Sequence, residues 1–488
     1  MGIAWISARV YLRRRRRTHP YPPGPRPSII IGNLLDIPRG KSWLVYTDWA
    51  KKYHSDILHV SALGQHIVIL NSLEAITELL DKRSHIYSDR PYWPITEIMG
   101  WSFNTLLMPY GERWREHRRY YQQFFKKEAS VKYHDAQMHK IRQMLRNFLT
   151  APDTPEVYYR TIGAEISMSM LYGYELMPPV NNDHMYAITE EAVRKGAESL
   201  IPGASIVNTF PTLRHLPRWF PGIGFKEALK IEKLTEDMKA STMKFVKSKM
   251  ANAAVQQCSR TVSRCRASPP RGCGDVIFGC APFTTVAAIA TFILAMMLYP
   301  DVQKKAQREL DKVIGVDCLP TNEDRCSLPY LEAIYRETGR WIPVTNLAAP
   351  HATSQDDVYN GFFIPKGSYI RIYNRAVAHN LEVYPEPDAF KPERFFDHNS
   401  HLNSDEVNYA FGFGRRICPG RNLASSTVWL TMASILSAFN VKKPSDSTTN
   451  SQFNYKLDKI YGNEPVRFVP KNNFFTQLAE MNHRLKPS

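Results

Sequence analysis

The stretch Phe411-Gly412-Phe413-Gly414-Arg415-Arg416-Ile417-Cys418-Pro419-Gly420 is the most informative part of the sequence. Its glycines permit backbone conformations that other residues avoid. The chain can therefore pass close to a flat group and direct N–H groups at the cysteine sulfur, and such hydrogen bonds tune a metal-bound thiolate. An apolar helix predicted after Gly420 favours the thiolate through its positive end. The spacing F-x-x-G-x-R-x-C-x-G therefore indicates a metal ligand rather than a small buried hydrophobe.

This decapeptide resembles the haem-binding loop of the cytochrome P-450 family at every defined position. The resemblance implies that Cys418 is the axial ligand of the haem iron, whose electron donation promotes O–O cleavage. It also implies cofactor-binding roles for Phe411, Gly414, Arg416 and Gly420. Phe411 would shield one face of the sulfur, and Arg416 would pair with a haem propionate.

A second motif, Glu337-Thr338-Gly339-Arg340, fits the E-x-x-R of the same family, and Pro392-Glu393-Arg394-Phe395 fits its P-E-R-F segment. Residues at i and i+3 share one helix face, so the carboxylate and the guanidinium can pair. The resemblance implies that Arg394 joins Glu337 and Arg340 in a buried structural network that fixes the cysteine loop. Gly339 departs from the usual large apolar residue and should cost about 1 kcal/mol of helix stability relative to Ala.

A third motif, Trp114-Arg115-Glu116-His117-Arg118, fits W-x-x-x-R. A Trp and an Arg one helical turn apart can donate to a single anionic group. By resemblance, Trp114 and Arg118 would contact the haem propionates. The alternative from the residues alone is a basic amphipathic helix with a buried Trp.

The distal-helix motif of the family, [AG]-G-x-[DE]-T-[TS], is altered here to Cys280-Ala281-Pro282-Phe283-Thr284-Thr285. The candidate catalytic residues Thr284 and Thr285 are present, but the acid and the glycine are missing. Pro282 is expected to kink or break the helix, at about 3 kcal/mol. The surrounding stretch 252–283 holds four of the seven cysteines and has weak helical periodicity. Three interpretations stay open. The stretch is an ordinary surface loop, it is a mis-joined piece of the gene model, or it belongs to an impaired variant.

The predicted fold is mainly α-helical with small β-sheets (α+β). The resemblance implies a cytochrome P-450 fold, with the haem between a distal helix and the loop that carries the cysteine. The patterns predict helices at 41–53, 111–127, 225–250, 284–299, 300–314 and 421–439, a hairpin over 57–70, and a strand-rich patch over 351–371 with a turn at Asn360-Gly361.

Composition narrows the class of protein. The 488 residues are 43% hydrophobic and 22% charged, which is ordinary for a globular protein. The seven cysteines form no C-x-x-C pair, which disfavours zinc ribbons and thioredoxin-like chemistry. The formal charge of +17 fits either a solvated basic surface or a face that docks an acidic partner. No nucleic-acid-binding motif accompanies it, so we expect no nucleic-acid partner.

The N-terminus predicts membrane association. Residues 1–12 are mostly apolar, and the five consecutive arginines of 13–17 follow them. This segment is shorter than the roughly 20 residues of a spanning helix, so 1–19 is interpreted as a short anchor or interfacial helix, or as a disordered basic tail. The proline-rich residues 20–27 form a stiff spacer. Residues 28–488 are expected to form a single domain, with 252–283 as its aberrant segment.

In overall style the sequence resembles fungal microsomal members that oxidise secondary metabolites or foreign compounds. The resemblance implies a monooxygenase with haem b, no bound flavin and a small lipophilic substrate. It implies electrons from an NADPH-cytochrome reductase, with cytochrome b5 as a further candidate donor. We expect a monomer at the endoplasmic reticulum membrane with its catalytic domain facing the cytosol. The sequence does not specify the substrate or its regiochemistry.

Two rival hypotheses follow from the same residues. The altered distal motif also suits a haem-thiolate protein that is catalytically impaired or that carries out an isomerase-type reaction. The basic charge suits a cofactor-free protein that binds nucleic acid or membrane, which would show no haem absorbance and a strong salt dependence of binding.

Overall fold

The computed structural model describes residues 19–38, 42–176, 183–200, 204–251, 273–443 and 467–470. They fall into two compact units. The first takes the described residues of 1–92, 346–377 and 412–417, and the second takes those of 93–345, 378–411 and 418–488. The N-terminal segment through residue 18 and residues 252–272 lie outside the described residues. The predictions for those segments, and for a single domain over 28–488, stay predictions.

The first unit contains the larger β-sheet. Its helices and strands are α1 (Ser42–Tyr53), β1 (Ile57–Ala62), β2 (Gln65–Leu70), α2 (Leu73–Ile76), α3 (Ser84–Tyr87), β3 (His351–Ala352), β4 (Asp357–Tyr359), β5 (Phe362–Ile364) and β6 (Tyr369–Ile372). The sheet order is β1-β2-β6-β3, and β4 pairs with β5 as a separate hairpin. Strand β2 runs antiparallel to β1 and parallel to β6. The predicted 57–70 hairpin is confirmed.

The turn between β4 and β5 is formed by Asn360-Gly361, as predicted. Both residues have positive φ, +48° for Asn360 and +77° for Gly361. Two consecutive positive-φ residues are typical of the type I′ turn that connects antiparallel strands, and Asn-Gly is its preferred sequence.

The second unit is mostly helical. Its helices are α4 (Pro94–Ile98), α5 (Glu112–Phe125), α6 (Lys127–Ser130), α7 (His134–Thr150), α8 (Pro155–Tyr172), α9 (His184–Glu198), α10 (Ile206–Thr209), α11 (Phe225–Ala251), α12 (Cys273–Leu298), α13 (Pro300–Val313) and α14 (Pro329–Trp341). The last residue of the short helix α15 (Asn374–Ala378) also belongs to this unit, and helix α16 (Arg421–Ala438) follows. Strands β7 (Phe439–Lys442) and β8 (Arg467–Pro470) pair antiparallel. The predicted class, mainly helical with small sheets, is confirmed.

Helix α12 runs without interruption from Cys273 to Leu298, so the expected kink or break at Pro282 is not a break, and a kink there stays a prediction. Residues 273–283 belong to this helix rather than to a loop. A proline costs about 3 kcal/mol inside a helix. Burial of Ile289, Phe292 and Ile293 against α8 and its neighbours contributes about 1.5–3 kcal/mol for each side chain. The packed C-terminal half therefore fixes the helix, and the proline is tolerated upstream.

The described residues were compared with the length and apolar character that a membrane-spanning helix needs. No single helix among them has both the length and the apolar character needed to span a bilayer. Residues Thr284–Leu298 and Pro300–Val313 reach that length and apolar character only when the two helices are taken together, and the pair is bent by 106° at its junction.

Trp101 contacts two helices of the second unit, α9 and α11. Its indole Nε1 donates to Thr235 Oγ1 of α11 at 3.1 Å. A Cβ placed on Gly196 of α9 would lie only 2.1 Å from Trp101 Cζ2, so the ring rests directly on the α9 backbone. Glycine is required at 196 because no other residue leaves room for the indole.

Two glycine-to-alanine substitutions should therefore have opposite effects. Gly196→Ala should lower the free energy of unfolding by about 2 kcal/mol or more, because overpacking displaces a buried indole. Gly339→Ala, in α14, should raise it by about 1 kcal/mol, because its Cβ would lie 3.7 Å from the nearest side-chain atom, an ordinary contact. Urea unfolding measures both. Equal effects of the two substitutions would contradict this packing.

Candidate functional site

Glu337, Arg340 and Arg394 come together as the sequence motifs predict. Glu337 and Arg340 on α14 are fully buried, and Arg340 donates through Nε and Nη2 to the two carboxylate oxygens of Glu337 at 2.6 and 2.7 Å. Arg394 Nε donates to Glu337 Oε1 at 3.2 Å, and so does the backbone N–H of Lys391 at 2.8 Å. The carboxylate therefore accepts four hydrogen bonds in the interior.

The two arginines of this network also hold backbone carbonyls. Arg340 donates to the carbonyls of Ala378 and Ala389, at 2.9 and 3.2 Å. Arg394 donates to the carbonyl of Pro385 at 2.9 Å. Removing one member of a buried charged network leaves the others uncompensated, which typically costs about 3–5 kcal/mol. The network thus fixes the segment 378–394 on helix α14.

The cysteine loop is closed by one backbone hydrogen bond. The N–H of Cys418 donates to the carbonyl of Phe411 at 2.8 Å, and both residues belong to the second unit. Residues 412–417 between them belong to the first unit. Gly414 has a φ of +55°, and a Cβ there would lie 2.0 Å from the carbonyl oxygen of Leu80. Position 414 therefore admits only glycine, for both conformational and steric reasons.

The surroundings of Cys418 suit a thiolate that binds a metal cation. Burial raises the pKa of the Cys418 thiol, while the N–H of Gly420 and the charges of Arg118 and Arg421 oppose that rise. Helix α16 begins at Arg421, so its positive end also lies beside the sulfur. A bound cation deprotonates a coordinating thiol. A half-buried free thiol beside an N–H donor and two guanidinium charges thus suits a thiolate that binds iron.

Open space adjoins two of the loop glycines. A Cβ placed on Gly412 or on Gly420 would meet no atom within 4 Å. Gly412 also needs its positive φ of +79°. The bare backbone beside Cys418 would let a planar group approach closely, so the loop fits a haem.

Helix α5 carries Trp114, His117, Arg118 and Tyr121 along one side. The Arg118 guanidinium lies 5.6 Å from the centre of the Trp114 ring. His117 is fully buried, and its Nδ1 lies 2.8 Å from Thr105 Oγ1, which also contacts the Tyr121 hydroxyl at 2.9 Å. Burial and the nearby Arg113 charge lower the pKa of His117 to about 4. His117 is therefore a neutral residue that orders this side of the helix.

Arg416 in the first unit has two basic neighbours that the sequence analysis missed, Arg90 and His351. All three are buried, at 9%, 6% and 4% exposure. Arg416 Nε donates to the carbonyl of Ser88 at 2.8 Å, and Arg90 Nη1 donates to that of Pro350 at 2.6 Å. Burial lowers the pKa of Arg90 to about 10, and burial with the charges of Arg90 and Arg416 holds the pKa of His351 well below its usual range.

This concentration of buried basic groups suits an anionic ligand such as a carboxylate. Arg90 and His351 stand in no spaced motif, and some 260 residues separate them in the chain. The one sequence feature that could have indicated these residues is a basic residue beside a predicted strand, and such a feature is common. Only the tertiary structure shows that they flank Arg416.

Thr284 and Thr285 lie on α12 in different environments. Thr284 is exposed, whereas Thr285 is buried with 6% of its surface accessible. Their predicted catalytic roles stay predictions.

The chain matches the family described as "Cytochrome P450" over residues 22–464, and it belongs to this family. It is 38% identical over 454 residues to a tryptamine 4-monooxygenase of Psilocybe cyanescens, covering 89% of this chain and 88% of that protein. It is 36% identical to the cytochrome P450 monooxygenase COX1 of Coprinopsis cinerea, over 88% and 86% of the two chains. The cytochrome P450 monooxygenase claR of Ampulloclitocybe clavipes is 38% identical, over 88% and 82%.

These relatives confirm the resemblance to fungal cytochromes P-450. The protein is an oxidoreductase, a cytochrome P450 monooxygenase. Membership of the family implies a haem with a cysteine thiolate ligand, and it implies a redox partner and a lipophilic substrate as general requirements. The loop geometry and the donors around the sulfur fit that cofactor.

The buried His117 predicts a pH dependence of stability. Its pKa of about 4 in the folded protein lies below the ordinary value of 6.5, so the unfolded chain binds the proton more strongly. The stabilisation is complete above pH 6.5 and is lost as the pH falls toward 4. His117→Gln should weaken this dependence, whereas His398→Gln, at an exposed site, should preserve it. The midpoints of urea unfolding at pH 7 and pH 5 measure the effect. The same change in midpoint between these two pH values for wild type and His117→Gln would contradict it.

Proposed function

We propose that the protein binds haem b through the Cys418 thiolate and inserts one oxygen atom of O2 into a lipophilic organic substrate, reducing the other to water. The observation that carries this proposal is the setting of Cys418. The Gly420 N–H and the charges of Arg118 and Arg421 act on a half-buried free thiol, and the backbone N–H of Cys418 is hydrogen-bonded to the carbonyl of Phe411. When bound, the haem supplies the oxygen chemistry, and a thiolate ligand favours cleavage of the O–O bond.

The chain's own basic residues would hold the haem carboxylates. In the second unit these are Trp114 and Arg118, whose side chains lie one helical turn apart on α5. In the first unit they are Arg416 and the neighbouring Arg90 and His351. Phe411 and Gly414 shape the loop, and Gly420 leaves its backbone open to the cofactor and donates to the sulfur.

Substrate entry would be controlled by elements of the second unit. We expect pocket residues near 92–101 and around 200–220. Ile95 of α4 donates its N–H to Asn208 Oδ1 of α10 at 3.3 Å, which joins these two regions. One relative is named a tryptamine 4-monooxygenase. A small, largely apolar organic molecule of secondary metabolism is therefore the substrate class that we propose.

An NADPH-dependent reductase is the proposed electron donor, with cytochrome b5 as a second candidate. Lys126, Lys127 and Lys132 are exposed just after α5. Asn422, four residues after Cys418, donates to the carbonyl of Phe125 at 3.1 Å, so these lysines lie near the start of α16. A basic surface near the thiolate would attract an acidic electron-transfer protein.

We place the protein at the endoplasmic reticulum membrane, as a monomer facing the cytosol. The proposal is supported by the run of arginines at 13–17 and by exposed aromatic side chains after α10. Trp219 is 79% exposed, and Phe210 and Phe220 are 46% and 42% exposed. Aromatic rings at this exposure suit the lipid headgroup region.

The ferrous carbon monoxide spectrum tests the ligand assignment. The wild-type protein should show the strongly red-shifted Soret band of a thiolate ligand, and Cys418→Ser should lose it. Cys326→Ser, at an exposed free cysteine, is the matched control and should retain the band. A wild-type protein without the shifted band, or a Cys418→Ser variant that retains it, would overturn the proposal.

The altered distal motif should lower the fraction of NADPH that is converted into product. Phe283 stands where the family has an acid, and a positioned proton donor contributes about 100-fold or more. With a reductase and a substrate that induces NADPH consumption, the wild-type protein should release much peroxide. Phe283→Asp should raise the product-to-NADPH ratio several-fold, and Phe283→Leu should leave it unchanged. Tight coupling in the wild type would contradict a role for the missing acid, and no product from any variant would favour the impaired alternative.

A further inference from the structure

The segment 403–407 precedes the cysteine loop and is tied to α14 by a second set of hydrogen bonds. Arg336, which is buried on α14, donates through Nη1 to the carbonyls of Asn403 and Asp405 at 2.8 and 3.1 Å. The N–H of Asp405 donates to Asn403 Oδ1 at 3.1 Å. This contact set lies beside the Glu337 network and is joined to it, because Asn403 Nδ2 donates to the carbonyl of Arg394 at 3.1 Å.

The Asp405 carboxylate accepts one hydrogen bond on each oxygen. The buried hydroxyl of Tyr384 donates to Oδ2 at 2.5 Å, and the N–H of Val407 donates to Oδ1 at 3.0 Å. The guanidinium of Arg340 lies 5.4 Å from the centre of the Tyr384 ring. Asp405 therefore connects the turn to a tyrosine that packs on the E-x-x-R arginine.

Val407 adopts an unfavourable backbone conformation. Its φ is +54°, in the left-handed region that β-branched residues avoid, and it is 4% exposed. Its Cγ1 lies 3.7 Å from the position that a Cβ of residue 339 would take. Gly339 is the position where the sequence lacks the large apolar residue usual in the family motif. Val407 thus fills the space beside α14 that this glycine leaves.

The strained turn leads directly to the cysteine. The carbonyl of Val407 accepts the N–H of Ala410 at 3.1 Å, within the short 3-10 turn Asn408–Phe411. The carbonyl of Phe411 then accepts the N–H of Cys418. A shift of Val407 would therefore move the residue to which the cysteine backbone is hydrogen-bonded.

We propose that Asp405, with Tyr384 and Arg336, is a positioning residue for the Cys418 thiolate. It holds Val407 against Gly339 in its left-handed conformation, and so sets the end of the loop on which the sulfur is carried. The inference rests on the proposed function, since it assigns Cys418 as the haem ligand. Its experiment separates the two, because the wild-type spectrum tests the ligand and the variants test its positioning.

The test compares Asp405→Ala, Asp405→Asn and Tyr384→Phe in the haem-loaded protein. The first readout is the ratio of the red-shifted to the ordinary ferrous carbon monoxide band. The second is the rate of haem transfer to an apomyoglobin acceptor, which needs no turnover. Leaving a buried donor unsatisfied should speed haem loss about tenfold in Asp405→Ala and lower the band ratio. Tyr384→Phe should act in the same direction, and Asp405→Asn should restore most of the wild-type behaviour.

Two controls separate positioning from general destabilisation. Tyr158→Phe removes a hydroxyl from a partly buried tyrosine of α8 and should change neither readout. Gly339→Leu should displace Val407 and lower the band ratio, whereas Gly339→Ala should not, because its Cβ stops at ordinary contact. All spectra are taken well below the melting temperature of each variant.

The outcomes are distinct. A wild-type protein without the shifted band contradicts the proposed ligand and, with it, this inference. A wild-type band that persists unchanged in folded Asp405→Ala and Tyr384→Phe, with an unchanged rate of haem loss, overturns the inference alone. A lowered band ratio that Asp405→Asn restores supports it.

Discussion

The buried carboxylate of Glu337 is the interaction on which the candidate site depends. It is inaccessible to solvent, and four N–H groups donate to it. Two of its donors belong to Arg340 and one to Arg394, which hold backbone carbonyls of the segment 378–394. A charge buried this deeply is tolerated only when it is paired with opposite charge and hydrogen-bonded. That requirement leaves the segment with a single arrangement on α14, and the segment leads into the turn before Cys418.

The cysteine loop has two positions whose backbone conformation or close contacts require glycine. Gly414 meets the carbonyl of Leu80, and Gly412 needs a positive φ. The charges of Arg118 and Arg421 oppose the effect of burial on the pKa of the Cys418 thiol, whereas those of Arg90 and Arg416 add to burial in lowering the pKa of His351. Within the second unit, Cys418 thus lies beside an N–H donor and two guanidinium charges, a setting that suits a thiolate ligand to iron.

The sequence predicted the residues that stand in spaced motifs, because a fixed spacing on one helix or loop determines which side chains meet. Glu337, Arg340 and Arg394 meet as expected, and the hairpin over 57–70 and the Asn360-Gly361 turn form where alternation and turn chemistry place them. Arg90 and His351 were missed because only tertiary packing brings them to Arg416. The break expected at Pro282 was wrong, because packing of the following apolar half outweighs the local cost of a proline. The strain at Val407 has no signal in the sequence.

X-ray absorption at the iron K edge of the purified ferric protein tests the central claim most directly, because it reports the atoms bound to the iron without substrate, reductase or turnover. The account predicts one sulfur neighbour in the first coordination shell, together with the porphyrin nitrogens. A first shell of nitrogen and oxygen alone would contradict it. Cys418 would then not ligate the iron, and the arrangement of Glu337, Asp405 and the cysteine loop would need another explanation.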